Sequence, residues 1–245
     1  IYERSDSDSR GKEGLNKQSG WVRGAPRTGD IEIIEYGARF GVDIEQGHKT
    51  GFYLDQAENR ALVRDWAKGM RVLNCFSYTG GFSVQAALGG ATEVVSVDSS
   101  QPALDLSAAN FARNGLADDP RVSHLNSDVF KALEAFRAEG RQFDLVILDP
   151  PKFASSGAHV EKALHAYRKL SRAGVPLVAP GGFLLSYSCS GAVTPEAFQK
   201  SKTLALADNR RRGRILKRLS AASDHVSDLA FPEGAYLKGL ALEIA

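Results

Sequence analysis

The residues most able to do chemistry here are two thiols, three strand-end acids and a pair of adjacent glycines. The sharpest stretch is Asp149-Pro150-Pro151-Lys152-Phe153, which follows the apolar run Leu145-Val146-Ile147-Leu148. Two prolines stop a strand and stiffen the loop after it, so the Asp149 carboxylate is held at a sheet edge. Lys152 puts a cation beside it. A rigid loop with a capping acid is the plain structural alternative. A second stretch, Ser77-Tyr78-Thr79-Gly80-Gly81-Phe82, follows the apolar run Val72 to Phe76. Glycines in such a turn let backbone approach a ligand where a Cβ would clash, although this is not a strict G-x-G-x-x-G. Asp98 ends the next strand and lies 17 positions after Gly81. That is near the roughly 20 at which a carboxylate accepts hydrogen bonds from ribose hydroxyls. Asp128, after a third strand, either accepts from a base amino group or caps the helix beginning at Val129. No G-x-x-x-x-G-K-S/T occurs, so a P-loop is absent.

The two thiols differ in setting. Cys189 lies in Ser188-Cys189-Ser190-Gly191 at the end of a fifth strand, among small polar neighbours that allow close approach. Cys75 lies inside an apolar strand and suits a buried small hydrophobe. Two cysteines far apart make no disulfide framework and fit a reducing, cytoplasmic setting.

These residues need a sheet to bring them together. From Arg71 onward, strands expected at 71–76, 92–97, 121–125, 143–148 and 182–188 alternate with helices near 81–89, 100–113, 128–138 and 160–173. Two further strands are expected at 214–219 and 236–244. Such alternation implies an α/β fold, a mostly parallel, doubly wound sheet with ligands at the strands' carboxyl ends. Upstream, residues 1–29 are polar and read as a linker, while 31–44 alternate with period two around Gly37 as a hairpin. Residues 48–55 read as a loop or short strand, and a helix opens at Asp55 or Gln56 and closes at Gly69. The domain expectation is therefore a linker to 29, a bridging hairpin over 30–56 and an α/β domain over 57–245.

At 245 residues with a formal charge of +2, the chain is long enough for one full core and does not advertise nucleic-acid binding globally. Any basic surface is local, as at Arg210-Arg211-Arg212 with Arg214 and Lys217, which is either a solvated face or a phosphate contact. No apolar run approaches the ~18 residues of a membrane span and no signal peptide is visible. The first residue is Ile1, which suggests a missing N-terminal part.

Assembled, the residues resemble the class I S-adenosylmethionine-dependent methyltransferases. More closely, the chain resembles the large-subunit (23S) ribosomal RNA cytosine-5 methyltransferases in which an N-terminal PUA domain precedes the catalytic domain. The stretches that carry this are Lys49-Thr50-Gly51-Phe52-Tyr53-Leu54-Asp55-Gln56 with Glu58-Asn59-Arg60, Leu73 to Phe82, Val97-Asp98, Asp149 to Phe153, Ser188 to Gly191, and Tyr236-Leu237-Lys238-Gly239. The resemblance implies a seven-stranded Rossmann-like fold, with the PUA domain upstream of Ile1 and the 31–44 hairpin as the bridging element. It implies S-adenosylmethionine as cofactor, lined by Phe76, Ser77, Tyr78, Thr79, Gly80, Gly81 and Phe82. It further implies that Asp98 takes the ribose and Asp128 lies near the adenine. Asp149 and Pro150 then begin the loop between cofactor and base, Thr50 and Gly51 lie over the cofactor side, and Cys189 is the nucleophile. Gly174 and Pro176 depart from the apolar helix many members have there. Ribosomal RNA is the implied partner, with no membrane and no metal, and the reading allows a homodimer.

In the implied reaction a thiolate adds to C6 of cytosine, C5 takes the methyl, and loss of the C5 proton expels the cysteine. Asp149 would hydrogen-bond the base, and Lys152 would favour the thiolate. Three rivals stay open: a guanine (N7 or N2) ribosomal methyltransferase, which has no need of Cys189; an exocyclic-amine methyltransferase, in which an aromatic usually stands where Lys152 does; and a noncatalytic RNA-binding domain that keeps the fold.

Overall fold

The computed structural model describes residues 1–7, 9–24, 29, 31–47, 50–154 and 157–245. It divides into two compact units, Ile1–Tyr53 and Leu54–Ala245.

In the first unit, β1 (Tyr2–Ser5), a short helix α1 (Ser9–Lys12) and β2 (Gln18–Trp21) are followed by β3 (Ile31–Glu35) and β4 (Ala38–Val42). The stretch expected as a linker therefore holds an antiparallel ribbon, with Tyr2 opposite Trp21 and their rings edge-on at 5.5 Å. Polar composition concealed this cross-strand aromatic pair, the element that stabilises such ribbons. The hairpin expected over 31–44 is present. Its turn, Tyr36-Gly37, has φ of 47° and 77°, the two left-handed positions of a tight hairpin turn. Phe40 packs at 5.1 Å from Phe52 inside this unit. Of the stretch 48–55, His48 and Lys49 lie outside the described residues.

The second unit opens with a 3-10 turn, Leu54–Gln56, and α2 (Ala57–Trp66). It continues with β5 (Arg71–Cys75), α3 (Gly81–Leu88), β6 (Glu93–Asp98), α4 (Gln101–Arg113), β7 (Val122–Asn126), α5 (Val129–Ala138) and β8 (Phe143–Leu148). Then come α6 (Val160–Gly174), β9 (Val178–Ser188), α7 (Pro195–Asp208), β10 (Gly213–Ser220) and β11 (Lys238–Ile244). The sheet order is β10-β11-β9-β8-β5-β6-β7. Strands β7, β6, β5, β8 and β9 are mutually parallel, and β11 runs antiparallel between β9 and β10. The order reverses at β5, which pairs with β6 on one side and β8 on the other, so a crevice opens at their carboxyl ends.

The central strands are apolar runs because helices cover both faces. Leu73, Cys75, Val146, Leu148 and Leu184 are buried in one core with Tyr167 and Leu170 of α6 and Phe198 of α7. Each such aliphatic side chain contributes about 1.5–3 kcal/mol. Helix α6 runs through to Gly174, where a Cβ would stand 3.1 Å from Leu148 Cδ1. The glycine there lets helix and sheet approach, and Pro176 follows in a 3-10 turn leading to β9.

Candidate active site

The loop after β5 is bent by backbone rather than by side chains. Phe76, Tyr78 and Gly80 all have positive φ, at 60°, 48° and 79°. For two bulky residues the left-handed region costs about 1–3 kcal/mol each, and such strain collects where a ligand is held. Three bonds fix it: Ser77 N–H donates to Val97 O (3.0 Å), Gly80 N–H to Ser77 O (2.9 Å), and Asn110 Nδ2 to Thr79 O (2.9 Å). A side chain at Gly80 is disfavoured twice over, by the left-handed backbone and because a Cβ there would lie 2.1 Å from Ser107 Oγ and force it to move. Beneath the loop, Asn74 Nδ2 and Ser96 Oγ both donate to Ser83 Oγ (2.9 and 2.7 Å), pinning α3 to β5 and β6.

Asp98 reaches back to this loop. Its two oxygens accept from Tyr78 N–H (2.8 Å) and Ser100 N–H (2.9 Å). A carboxylate offers about four acceptor directions, so two more are available to a diol. The structure thus joins Asp98 to the loop after β5 through Tyr78. Ser77 Oγ and Thr79 Oγ1 are buried without a hydrogen-bond partner among the described residues. Helix α3 is capped by Gly80, with no side-chain cap for its first-turn N–H groups. A ligand with hydroxyls and a carboxylate, such as S-adenosylmethionine, satisfies groups of this kind.

Asp128 takes the structural one of its two readings at least in part. It is the exposed N-cap of α5 and accepts from Lys131 N–H at 3.1 Å. Thr50 and Gly51 belong to the first unit, where Thr50 is exposed and Gly51, at φ 92°, lies against the Asp43 carbonyl.

Asp149 follows β8 directly and is half-buried; Pro150 behind it is buried. Gln56 Nε2 donates to Asp149 Oδ2 at 2.9 Å. Asn59 Nδ2 in turn donates to Gln56 Oε1 (2.6 Å) and to Ser220 O (3.0 Å), which sets the Gln56 amide with its N–H pointing at the acid. Lys152, expected as the cation beside these groups, is exposed.

Cys189 follows β9, the neighbour of β8, and is half-buried. Ser188 Oγ donates to the Tyr167 hydroxyl (2.8 Å), which shares a 3.0 Å bond with Ser190 Oγ. Ser190 Oγ also accepts from Ala154 N–H at 3.2 Å. The loops after β8 and β9 are therefore tied together, bringing the Asp149 and Cys189 segments side by side. Lys238 Nζ donates to Ser190 O and Tyr236 O, both at 2.8 Å, and the Tyr236 hydroxyl donates to Asp55. Cys75 is fully buried, and that burial pushes its thiol pKa far above the usual range. Of the residues built into this site, Gln56, Asn59, Tyr236 and Lys238 lie in stretches that carry the resemblance but have no site role assigned by it, and Tyr167 lies outside those stretches.

A profile of the S-adenosylmethionine-dependent methyltransferases matches residues 13–224. The chain belongs to that family. Among solved structures, this methyltransferase is similar to SMU.776 complexed with SAH, at 30% identity and a TM-score of 0.83 over 92% of this chain and 58% of that one. Trm5b from Pyrococcus abyssi shares the fold, with a TM-score of 0.66 at 15% identity over 91% of this chain and 58% of that one. Among curated proteins, it is 49% identical over 100% of its length to ribosomal RNA large subunit methyltransferase I of Alteromonas mediterranea, covering 61% of that protein. The counterpart from Aeromonas salmonicida is 50% identical over 98% of this chain and 60% of its own length. The chain thus spans about three fifths of the curated relatives it matches.

Proposed function

We propose that this methyltransferase modifies C5 of a cytosine in large-subunit ribosomal RNA through a covalent bond to Cys189. The observation that carries the reading is the Ala154–Ser190 tie, which draws the loop of half-buried Cys189 to the Asp149 loop at the carboxyl ends of adjacent strands. The relatives' name, ribosomal RNA large subunit methyltransferase I, supports the RNA substrate. In this reading the residues from Phe76 to Phe82 and Asp98 hold the cofactor, with Asp128 at its margin.

When bound, the cofactor supplies an electrophilic methyl group on a sulfonium. Everything else falls to the chain. The Cys189 thiolate adds to C6 of a base splayed out of its stack, forming an S–C6 bond and making C5 enamine-like. C5 would then bond the methyl carbon as that carbon's bond to the sulfonium sulfur breaks. Water takes the C5 proton, the C–H electron pair returns to the ring, and the S–C6 bond breaks to release Cys189 as thiolate. Asp149, held by Gln56, accepts from the exocyclic amine of the base and so orients the ring toward the thiol.

Ribosomal RNA carrying 5-fluorocytosine at the target tests this, because fluorine cannot leave as the proton does. Wild type and Cys75→Ser should give a band that survives denaturing gels, and Cys189→Ala should not. C5 methylation by Cys189→Ala, or a trapped peptide containing Cys75, would overturn the assignment. Methylation of guanine instead would return Cys189 to a packing role.

A further inference from the structure

A lysine seldom lies inside a protein without an acid to meet it. Lys238 is 8% exposed, and the partners of its Nζ are two backbone carbonyls, Ser190 O and Tyr236 O. Its position is fixed by the sheet. It opens β11 directly opposite Ser188 of β9, so its side chain emerges one residue before Cys189 and ends on the carbonyl one residue after it. Carbonyls neutralise no charge, and they occupy two of the three ammonium protons.

We propose that Lys238 is the cation that holds Cys189 in its thiolate form, a positioning residue that also fixes the loop carrying the nucleophile. Its catalytic meaning rests on the reading of Cys189 given above.

The electrostatics of the surroundings agree. Burial pushes the Lys238 pKa down, and the Cys189 thiolate is the group that pushes it back up. Coupling of this kind is mutual, so the ammonium lowers the energy of the thiolate by the same amount. Other charged and titratable groups stand near these loops, and buried Arg60 acts on Tyr187, as Asp149 does. Tyr167 from α6 is held neutral mainly by burial, and Tyr236 by burial and its bond to Asp55. Lys202 of α7, pushed down to about 7 by burial, donates instead to Ser171 Oγ and the Tyr167 carbonyl. Asp149, at the end of β8, and Asp55 bring negative charge, which opposes a thiolate. Lys152 is exposed to solvent. A low-dielectric setting makes one buried ammonium count for more than an exposed one.

The test is the rate of iodoacetamide alkylation at the Cys189 peptide against pH, read by mass spectrometry in the full chain. Wild type, Lys238→Met and Lys238→Arg are compared, with S-adenosylhomocysteine binding as the check of folding. Lys238→Met should move the alkylation midpoint up by one pH unit or more, roughly a tenfold loss of thiolate at neutral pH. Lys238→Arg should keep most of the wild-type profile. A purely structural lysine would change the amount of folded protein but leave the midpoint where it is. Should Lys238→Met fail to fold, Lys238→Gln, which keeps an N–H donor for the carbonyls, is read in its place. An unshifted midpoint in a folded, uncharged variant overturns the proposal. A shifted midpoint with no trapped 5-fluorocytosine adduct supports it while sinking the nucleophile reading.

Discussion

Replacing Asp98 by alanine should separate the cofactor-binding role of this acid from its structural one. The carboxylate already accepts from Tyr78 and Ser100 N–H, and the left-handed Tyr78 depends on the first of these. Its remaining acceptor directions face a ribose diol in the proposed complex. Hydrogen bonds to a charged group contribute about 1.5–3 kcal/mol, so Asp98→Ala should weaken S-adenosylhomocysteine roughly 10- to 150-fold. The same change releases two backbone donors in a half-buried loop, so the melting temperature should fall as well. Asp98→Asn distinguishes the two effects. Its amide keeps one neutral acceptor but sets an NH2 against an N–H donor, so affinity should lie between wild type and alanine. Calorimetric titration alongside melting curves reads both quantities. A folded Asp98→Ala with wild-type affinity would refute the reasoning and put the ribose elsewhere.

Gly80→Ala should destabilise the protein by roughly 2–4 kcal/mol in denaturant melts, since it adds left-handed strain to a Cβ placed 2.1 Å from Ser107 Oγ. The Arg71–Asp144 fork joins β5 to β8 with bonds of 3.0 and 2.9 Å, and its hydrogen bonds hold the Asp144 carboxyl below its usual range. A depressed acid contributes stability above its unfolded pKa and loses it as pH falls through the folded one. Asp144→Asn should therefore cost at most about 1 kcal/mol at pH 7 once solvent screening of this part-exposed pair is allowed for, and the difference from wild type should shrink as pH falls through the lowered Asp144 pKa. RNA binding by this chain should be weak and steeply salt-dependent, and Arg210→Ala or Arg212→Ala should each lower the log–log salt slope by about one. Arg211 and Arg214 are poorer candidates because they bond Ala245 O and Glu243. Tight, salt-insensitive binding would contradict this.

The sheet was legible because β6 and β8 are short apolar runs closed by Asp98 and by Asp149-Pro150, with the apolar β5 run between them, and those signals are local. Helix α7 was missed although Thr194-Pro195-Glu196 announces it: Thr194 Oγ1 accepts from Ala197 N–H at 3.2 Å, and proline follows at the first turn. Its weak amphipathicity hid it, since both Phe198 and Lys202 are buried. Asp128 shows the limit of counting strand ends, because the residue that follows a strand is also the residue that starts a helix.

The site divides along the same line. Asp149 and Cys189 could be found because a parallel sheet gathers strand ends, wherever they stand in the sequence. Gln56 could not, since its partner Asp149 is 93 positions away, nor could Asn59, bonded to a carbonyl 161 positions away. No periodicity encodes such bonds; they exist only once α2 has docked. The cation for the thiol is the instructive case. Lys152 was chosen for being three residues from Asp149, but chain proximity does not set an electrostatic effect. An exposed ammonium is hydrated and screened over about 10 Å, whereas a buried one keeps its field. Lys238 lies in the Tyr236–Gly239 stretch that carries the resemblance, but nothing in the sequence ties it to Cys189. The antiparallel register that sets it opposite Ser188 is what carries its charge to the thiol.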